Sequence, residues 1–175
     1  MKTWLGCIAA TVRRGIWLPL GVFLLHEACA HACGNLYDLW PPLDIPMHFL
    51  GGVAIAHFGA EFFRQSAERG LIRIGSDLMA TGLVLALTMS AATVWEYAEW
   101  VSDHTLGTQA QKGLDDTLFD TLVGFLGGSL FVLASRGRRI VRELSQSTDE
   151  EAASTPAPGA ASDAVSSVNA EPETE

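Results

Sequence analysis

Four long apolar stretches, separated by short polar stretches, dominate the hydropathy pattern of the chain. Each stretch is close to the roughly 20 residues that an α-helix needs to cross the hydrocarbon core of a bilayer. Backbone groups in lipid must find hydrogen-bond partners within the protein, and four short segments cannot close a barrel. We therefore predict an all-α bundle of four transmembrane helices. The stretches run from about residue 15 to 33, 46 to 63, 78 to 101 and 117 to 134.

The positions of the Lys and Arg residues favour one orientation of this bundle. All of them except Lys112 lie before the first stretch, between the second and third, or after the fourth. Because loops rich in Lys and Arg stay in the cytoplasm, we predict a multi-pass membrane protein with both termini in the cytoplasm. The cytoplasmic set comprises Lys2, Arg13, Arg14, Arg64, Arg69, Arg73, Arg136, Arg138, Arg139 and Arg142.

The composition adds a charged tail to this membrane domain. Hydrophobic residues make up 49% of the 175 residues, and charged residues 18%. Much of the net charge of -9 comes from a C-terminal segment rich in Ala, Ser and Pro, which has too little apolar bulk to fold. No basic and aromatic surface suited to nucleic acid is present, whereas a homo-oligomer is an open possibility. The predicted layout is a cytoplasmic N-terminus at 1–14, a transmembrane domain at 15–135, a basic juxtamembrane segment at 136–145 and a disordered acidic tail at 146–175.

The first span leaves two alternatives open. Arg13 and Arg14, a short apolar core and the small residues 28–30 resemble a signal peptide with its cleavage site. Cleavage would leave the orientation of the other spans unchanged. Cys29 and Cys33 lie four positions apart, as a strained disulfide or a soft-metal pair could. We favour a packing role, because a free cysteine behaves as a small apolar residue.

Acids and imidazoles from several spans fall at the same outer level of the predicted bundle. A chance arrangement would scatter such groups over both leaflets. An ionisable residue in a membrane helix is costly, so it usually faces the bundle interior, a partner or water. We therefore predict a shared polar site at the outer face. Its candidate residues are Asp44, His48, Glu96, Glu99, Asp116 and Asp120.

The spacing of these six candidates places them in pairs on shared helix faces. Members of a pair lie three or four positions apart, so two side chains can converge on one ion or one substrate group. Carboxylates mixed with imidazole suit Mg²⁺, Mn²⁺ or Zn²⁺, and all six are therefore candidate ligands of a divalent metal. Glu96, Glu99 and Asp120 are in addition the candidate catalytic acid–base groups. The pairs are Asp44 with His48, Glu96 with Glu99, and Asp116 with Asp120.

Helix capping is the ordinary alternative for some of these acids. Asp116 and Asp120 lie in the first turn of a predicted helix, where anions interact favourably with the helix dipole. Asp116 in particular is a good N-cap residue, and Asp44 occupies a similar position before the second span. Capping explains each acid separately, whereas a shared site explains why they all lie at one level.

Deeper polar and small residues are expected to have structural roles. His57 and Glu61 lie four positions apart in the inner half of the second span, and we predict a buried hydrogen-bonded pair rather than a proton path. Glycines in the second and fourth spans would let these helices approach closely. They are Gly51, Gly52, Gly124, Gly127 and Gly128.

An ordered set of motifs supports a family resemblance. The chain contains, in order, Asp44-x-x-x-His48-Phe49 with Gly51-Gly52, Trp95-Glu96-Tyr97-Ala98-Glu99-Trp100, Leu106-Gly107-Thr108-Gln109, and Asp116-Thr117-x-x-Asp120 with Gly127. Over about residues 40–130 this order resembles the YjdF-like family of bacterial inner-membrane proteins, whose function is unknown. A looser likeness to VanZ-like membrane proteins implies a cell-envelope context related to glycopeptide antibiotics. The stretch 110–114 departs from both patterns, which leaves any role of Asp115 open.

Three classes of function fit these residues. The first is a metal-dependent hydrolase or transferase that acts on lipid-linked substrates of the envelope. The second is a transport or sensing protein that binds a cation or proton with the same acids. The third is a structural or assembly factor whose polar groups join the helices through hydrogen bonds.

Overall fold

The computed structural model describes the backbone of residues 3–32 and 34–154, and the side chains of residues 3–31 and 34–138. The fold is all-helical as predicted, and no strand occurs among the described residues. The main helices are α1 (Trp4–Gly15), α2 (Trp17–Glu27), α3 (Leu36–Leu39), α4 (Asp44–Glu68), α5 (Asp77–Leu106) and α6 (Leu114–Ser154). A π-helical turn at Ala28–Ala32 extends α2, and a 3-10 turn at Pro41–Leu43 precedes α4.

The predicted spans differ in how clearly they suit a membrane. Among the described residues, α5 and the part Leu114–Arg138 of α6 are long and apolar enough to cross it. A third span results if α1 and the segment Trp17–His31, which are bent by 58° relative to each other, count as one broken span. Helix α4 is long enough to cross a membrane but less apolar than these helices, because polar residues interrupt its apolar sequence. The number of four spans therefore stays a prediction.

Close backbone contacts join α4 and α6. A Cβ atom added to Gly52 would lie 1.8 Å from the carbonyl oxygen of Gly124, so neither helix leaves room for a side chain there. Gly127 packs against the backbone of Phe49 in the same way. The predicted role of these glycines is thus seen for Gly52, Gly124, Gly127 and Gly128, whereas Gly51 faces open space.

Helix α1 packs on the C-terminal half of α4 through a narrow face of small side chains. Cys7 and Thr11 are buried there, and the Cys7 sulfur lies 3.2 Å from the Ser66 hydroxyl oxygen. The adjoining face of α1 is apolar and exposed, with Leu5 at 79% exposure. The segment predicted only as a cytoplasmic N-terminus therefore forms a helix with one small face packed on α4 and one apolar face exposed.

The C-terminal boundaries differ from the sequence-based layout. Residues 146–154, placed by the sequence in the disordered tail, form the last part of α6. Their run of Glu and Ala residues has high helix propensity, which composition alone does not separate from disorder. Residues 155–175 of the predicted tail lie outside the described residues. The chain divides into two units, Met1–Ser135 and Arg136–Glu175, and the site discussed below belongs to the first.

Candidate functional site

His48 lies at the centre of a cluster of carboxylates from three helices. Its Nε2 atom is 3.3 Å from Oδ1 of Asp44, one helical turn earlier on α4. The same nitrogen is 3.8 Å from Oδ2 of Asp120 on α6. On the other side of the ring, Nδ1 is 3.8 Å from Oε1 of Glu96 on α5. One imidazole therefore faces three carboxylates.

A layer of small residues explains why these side chains meet. Gly124 lies against Gly52 on one side and against the Ala92 side chain on the other. Each of these three residues lies four positions from a cluster residue, and residues four apart share a helix face. The close approach of the helices in this layer therefore brings the next turn of each helix together. The pairs are Gly52 with His48, Gly124 with Asp120, and Ala92 with Glu96.

Glu96 is the most unusual member of the cluster. The residue is 5% exposed, and its Oε1 atom has no hydrogen-bond partner among the described residues. A buried carboxylate oxygen without a donor is costly. That oxygen is directed at His48 and so into the cluster, where it is free to bind a ligand.

Glu99 is held at the edge of the same cluster by a neighbouring aromatic side chain. The indole nitrogen Nε1 of Trp95 donates a hydrogen bond of 2.7 Å to Oε1 of Glu99. This bond fixes the carboxylate on the side of α5 that faces His48. Two sets of three side chains could then hold a metal ion, since their ligand atoms lie within 4.8 Å of one another. They are Asp44, His48 and Asp120, and His48, Glu96 and Glu99.

Lys112 contributes to the cluster, although the sequence-based candidates did not include it. Its ammonium nitrogen lies 3.3 Å from Oδ2 of Asp44. Partial burial alone would lower the pKa of Lys112, but the nearby Asp44 carboxylate outweighs it and keeps the pKa above its ordinary value. The sequence did contain a sign of this role, because Lys112 is the one Lys or Arg that lies outside the three cationic regions.

The loop that carries Lys112 is organised by Asp103. The carboxylate of Asp103 accepts hydrogen bonds from the hydroxyl of Thr108 and from the backbone N–H groups of Ala110 and Gln111. Asp103, in the last turn of α5, thus anchors the loop and is not part of the cluster. It holds the connection between α5 and α6 in a shape that directs Lys112 towards Asp44.

Asp116 is the one of the six candidates that neither three-residue set includes. Its Oδ2 atom accepts a hydrogen bond of 3.2 Å from the backbone N–H of Lys112. Asp116 is the third residue of α6 and therefore not its N-cap; its side chain instead reaches back to the backbone before the helix, as the acidic residue of a capping box does. Asp115 is exposed and also lies outside both sets.

The inner pair does not form as the sequence predicted. Glu61 instead binds the guanidinium group of Arg64 through two nitrogens, at 2.6 and 3.0 Å. The ring of His57 packs against the rings of Trp17 and Phe131, and its buried Nε2 atom has no hydrogen-bond partner among the described residues. Arg64 lies on the same helix face as Glu61, and its guanidinium group forms strong bidentate hydrogen bonds with a carboxylate.

His26 near the end of α2 lies beside the cluster. His26 Nδ1 lies 2.7 Å from the hydroxyl oxygen of Tyr37, and its ring packs edge-on against Trp95. His31 and Glu27 form an exposed pair at 3.4 Å. Cys29 is a buried free cysteine, in agreement with a packing role, while Cys33 lies outside the described residues.

Comparisons with known proteins agree with the resemblance found in the sequence. A family described as "Predicted membrane protein (DUF2238)", which is the YjdF-like family, matches residues 8–140. An uncharacterized protein of Thermotoga maritima is 31% identical over 94 residues, which cover 53% of this chain and 47% of the relative. The match thus spans about half the length of that curated relative. No solved structure matches the chain. The likeness to VanZ-like proteins stays a prediction.

Proposed function

This chain belongs to the DUF2238 family of predicted membrane proteins, and we propose that it binds a divalent cation in the cluster around His48. The bound cation serves hydrolysis or transfer on a lipid-linked phosphate of the cell envelope. One observation carries the proposal: both ring nitrogens of His48 face carboxylates, which come from three helices at 3.3 to 3.8 Å.

The donor set suits a hard or borderline cation. Carboxylate oxygens favour Mg²⁺ and Mn²⁺, and one imidazole among them is also compatible with Zn²⁺. Three protein ligands leave coordination positions open for water or substrate, as catalytic metal sites do. A cation would also satisfy the lone Oε1 atom of Glu96 and offset the repulsion among the acids.

The residues of the cluster divide into two groups under this proposal. Asp44 and His48 on α4 hold the cation together with Asp120, while Glu96 and Glu99 hold it from α5 or act as acid–base groups. When bound, a divalent cation polarises a phosphoryl oxygen and makes its bound water more acidic. Trp95 keeps the Glu99 carboxylate in place. Lys112, on the exposed side of Asp44, attracts an anionic substrate group.

The proposed orientation determines which side of the membrane the cluster faces. With four spans and both termini in the cytoplasm, the start of α4 and the end of α5 lie at the outer face of the inner membrane. The cluster then faces envelope substrates and not cytoplasmic ones. The Arg residues at the opposite end of α4 and in the C-terminal half of α6 support this orientation.

Elemental analysis of the detergent-purified full chain tests the proposal. We expect about one equivalent of a divalent metal in the native protein and a near-complete loss in a Glu96→Gln, Asp120→Asn double variant, because a ligand site without its carboxylates does not hold the cation. Asp115→Asn is the matched control, since Asp115 is an exposed acid outside both ligand sets. Circular dichroism and thermal unfolding establish that all three proteins are folded.

The other outcomes lead to the alternative functions. A native protein without metal, also after incubation with Mg²⁺, Mn²⁺ and Zn²⁺, contradicts the proposal. Ion or proton flux in vesicles that contain such a protein would then indicate transport or sensing. Silent vesicles, together with a large loss of thermal stability in the double variant, would indicate a structural role for the cluster.

A further inference from the structure

An apolar cavity of about 280 Å³ lies between α2, α4 and α5, directly beneath the cluster. Asp44, His48 and His26 line its outer end. Along α4 it continues to Ile55, which at the α-helical rise corresponds to a depth of roughly 16 Å. The cavity thus connects the polar cluster to the middle of the bundle.

The walls of the cavity below the cluster are apolar. They are formed by side chains such as Val22 and Phe23 of α2 and Ala91 of α5. At the inner end, the hydroxyl of Thr88 donates a hydrogen bond of 2.9 Å to the carbonyl oxygen of Val84 and is therefore already satisfied. A polar molecule would find partners only at the outer end, whereas a hydrocarbon chain would fit the rest.

Helix α2 is packed in a way that leaves space for such a chain. None of its residues, all of which the structure describes, is buried, although α2 forms one wall of the cavity. A void in a protein interior forfeits packing contacts along its lining, so an occupant that fills it is stabilising. The volume lies at the lower limit of the roughly 300–1,000 Å³ of typical ligand pockets, which suits one chain rather than two.

We propose that the cavity binds a single hydrocarbon chain of a lipid phosphate and places the phosphate group beside Asp44 and His48. The position of the phosphate rests on the proposed function, because only a bound cation and Lys112 make an acidic cluster attractive to an anion. The position of the chain rests on the apolar cavity alone. The surrounding bilayer supplies such chains, and the cavity is continuous with the cluster through Asp44 and His48.

Gly51 provides a specific way to close the cavity. It lines the cavity, and a Cβ atom added there meets no atom of the described chain within 4 Å. A Gly51→Phe side chain would therefore fill the cavity without a clash at its base. Gly21→Phe on α2 is the matched control, since Gly21 also faces open space but does not line the cavity.

The test uses the purified full chain in nanodiscs and a dodecyl phosphate probe with a photoreactive diazirine at the end of its chain. We expect crosslinks at the inner end of the cavity, at Ile55, Thr88 or Ala91, mapped by mass spectrometry. Gly51→Phe should reduce them about tenfold or more, because the filled cavity removes the apolar contacts of the chain. Gly21→Phe should leave them unchanged, and thermal unfolding should show both variants folded.

Four results would overturn the proposal or part of it. Equal crosslinking in the two variants, or crosslinks confined to the lipid-facing surface, would exclude the chain from the cavity. Crosslinking by a neutral dodecanol probe as strong as that by dodecyl phosphate would exclude recognition of the phosphate. Absence of probe crosslinks at Ile55, Thr88 and Ala91 in a protein that native mass spectrometry shows to be dimeric would indicate a second copy of the chain in the cavity. Metal content is measured on the same samples, so the loss of the proposed metal site is distinguished from failure of chain binding.

Discussion

His48 links three helices through a single side chain, and its neighbours determine what the site can bind. Asp44 and Asp120 face one ring nitrogen and Glu96 faces the other, so the cluster holds more negative than positive charge. The ammonium group of Lys112, which lies beside Asp44, partly balances this excess of negative charge. The identity of the candidate residues could be predicted from spacing, but their distances and the unpartnered oxygen of Glu96 could not.

Removing the positive charge of Lys112 should increase cation affinity. The Lys112→Gln variant leaves Asp44 without its ammonium partner, so the cluster becomes more negative. Because the Lys112 side chain is 47% exposed, solvent screens the interaction. We expect the affinity for Mn²⁺ to rise by about two- to fivefold, as the 0.2–1 kcal/mol of exposed ion pairs implies.

Isothermal titration of the detergent-purified protein with Mn²⁺ measures this change. Arg73→Gln serves as the control, since Arg73 is an exposed cation in the loop between α4 and α5. A lower Mn²⁺ affinity in Lys112→Gln than in Arg73→Gln would show that Lys112 supports the cation instead of competing with it.

At the scale of helices, the contact between α4 and α6 places Asp120 beside His48. This contact depends on the absence of side chains at Gly52 and Gly127, whose added Cβ atoms would meet backbone oxygens at 1.8 and 2.1 Å. The sequence indicated small faces on both helices. It did not distinguish Gly51 from Gly52, because adjacent positions on a helix differ by about 100° in direction and only the packed structure shows which one faces α6.

Alanine substitutions at these adjacent glycines should therefore differ in their effect on stability. Gly52→Ala forces α4 and α6 apart and should lower the free energy of unfolding by about 1–3 kcal/mol, the usual cost of overpacking. Gly51→Ala should be neutral or slightly stabilising, since alanine is the better helix former. Thermal unfolding in detergent compares the two variants. Equal stability of both would mean that the close contact between α4 and α6 does not exist in the membrane.

Helix α1 shows a second limit of sequence-based prediction at this scale. Lys and Arg residues precede the first predicted span, so the sequence placed residues 1–14 in the cytoplasm. In the structure, Cys7, Thr11 and Gly15 form a face against α4 while a second, apolar face is exposed. Two different faces on one short helix are visible only when the partner helix is known.

At the scale of the whole molecule, the orientation in the membrane determines which compartment reaches the site. The family match and the two clearly apolar helices establish a membrane protein. The proposed orientation places the loop of Lys112 outside and the loop between α4 and α5 inside. Because the cluster adjoins the first of these loops, access to the site depends on the orientation.

Cysteine labelling of intact cells tests this orientation. In a background without native cysteines, we expect a membrane-impermeant maleimide to label Gln109→Cys before permeabilisation. Gly75→Cys should react only afterwards, since Arg64, Arg69 and Arg73 keep its loop in the cytoplasm. The opposite labelling pattern would place the cluster at the cytoplasmic face and exclude envelope substrates.

The sequence by itself determined the all-helical membrane fold, the family and the set of acids from which the cluster is drawn. These properties depend on local composition and on the spacing of residues along the chain, and both can be recognised in the sequence alone. Only the tertiary structure decided that Asp116 stays outside the cluster, that Lys112 joins it, that Glu61 pairs with Arg64 and that an apolar cavity lies beneath His48. Each of these depends on which helix faces meet, and that is determined by close packing between residues distant in the chain.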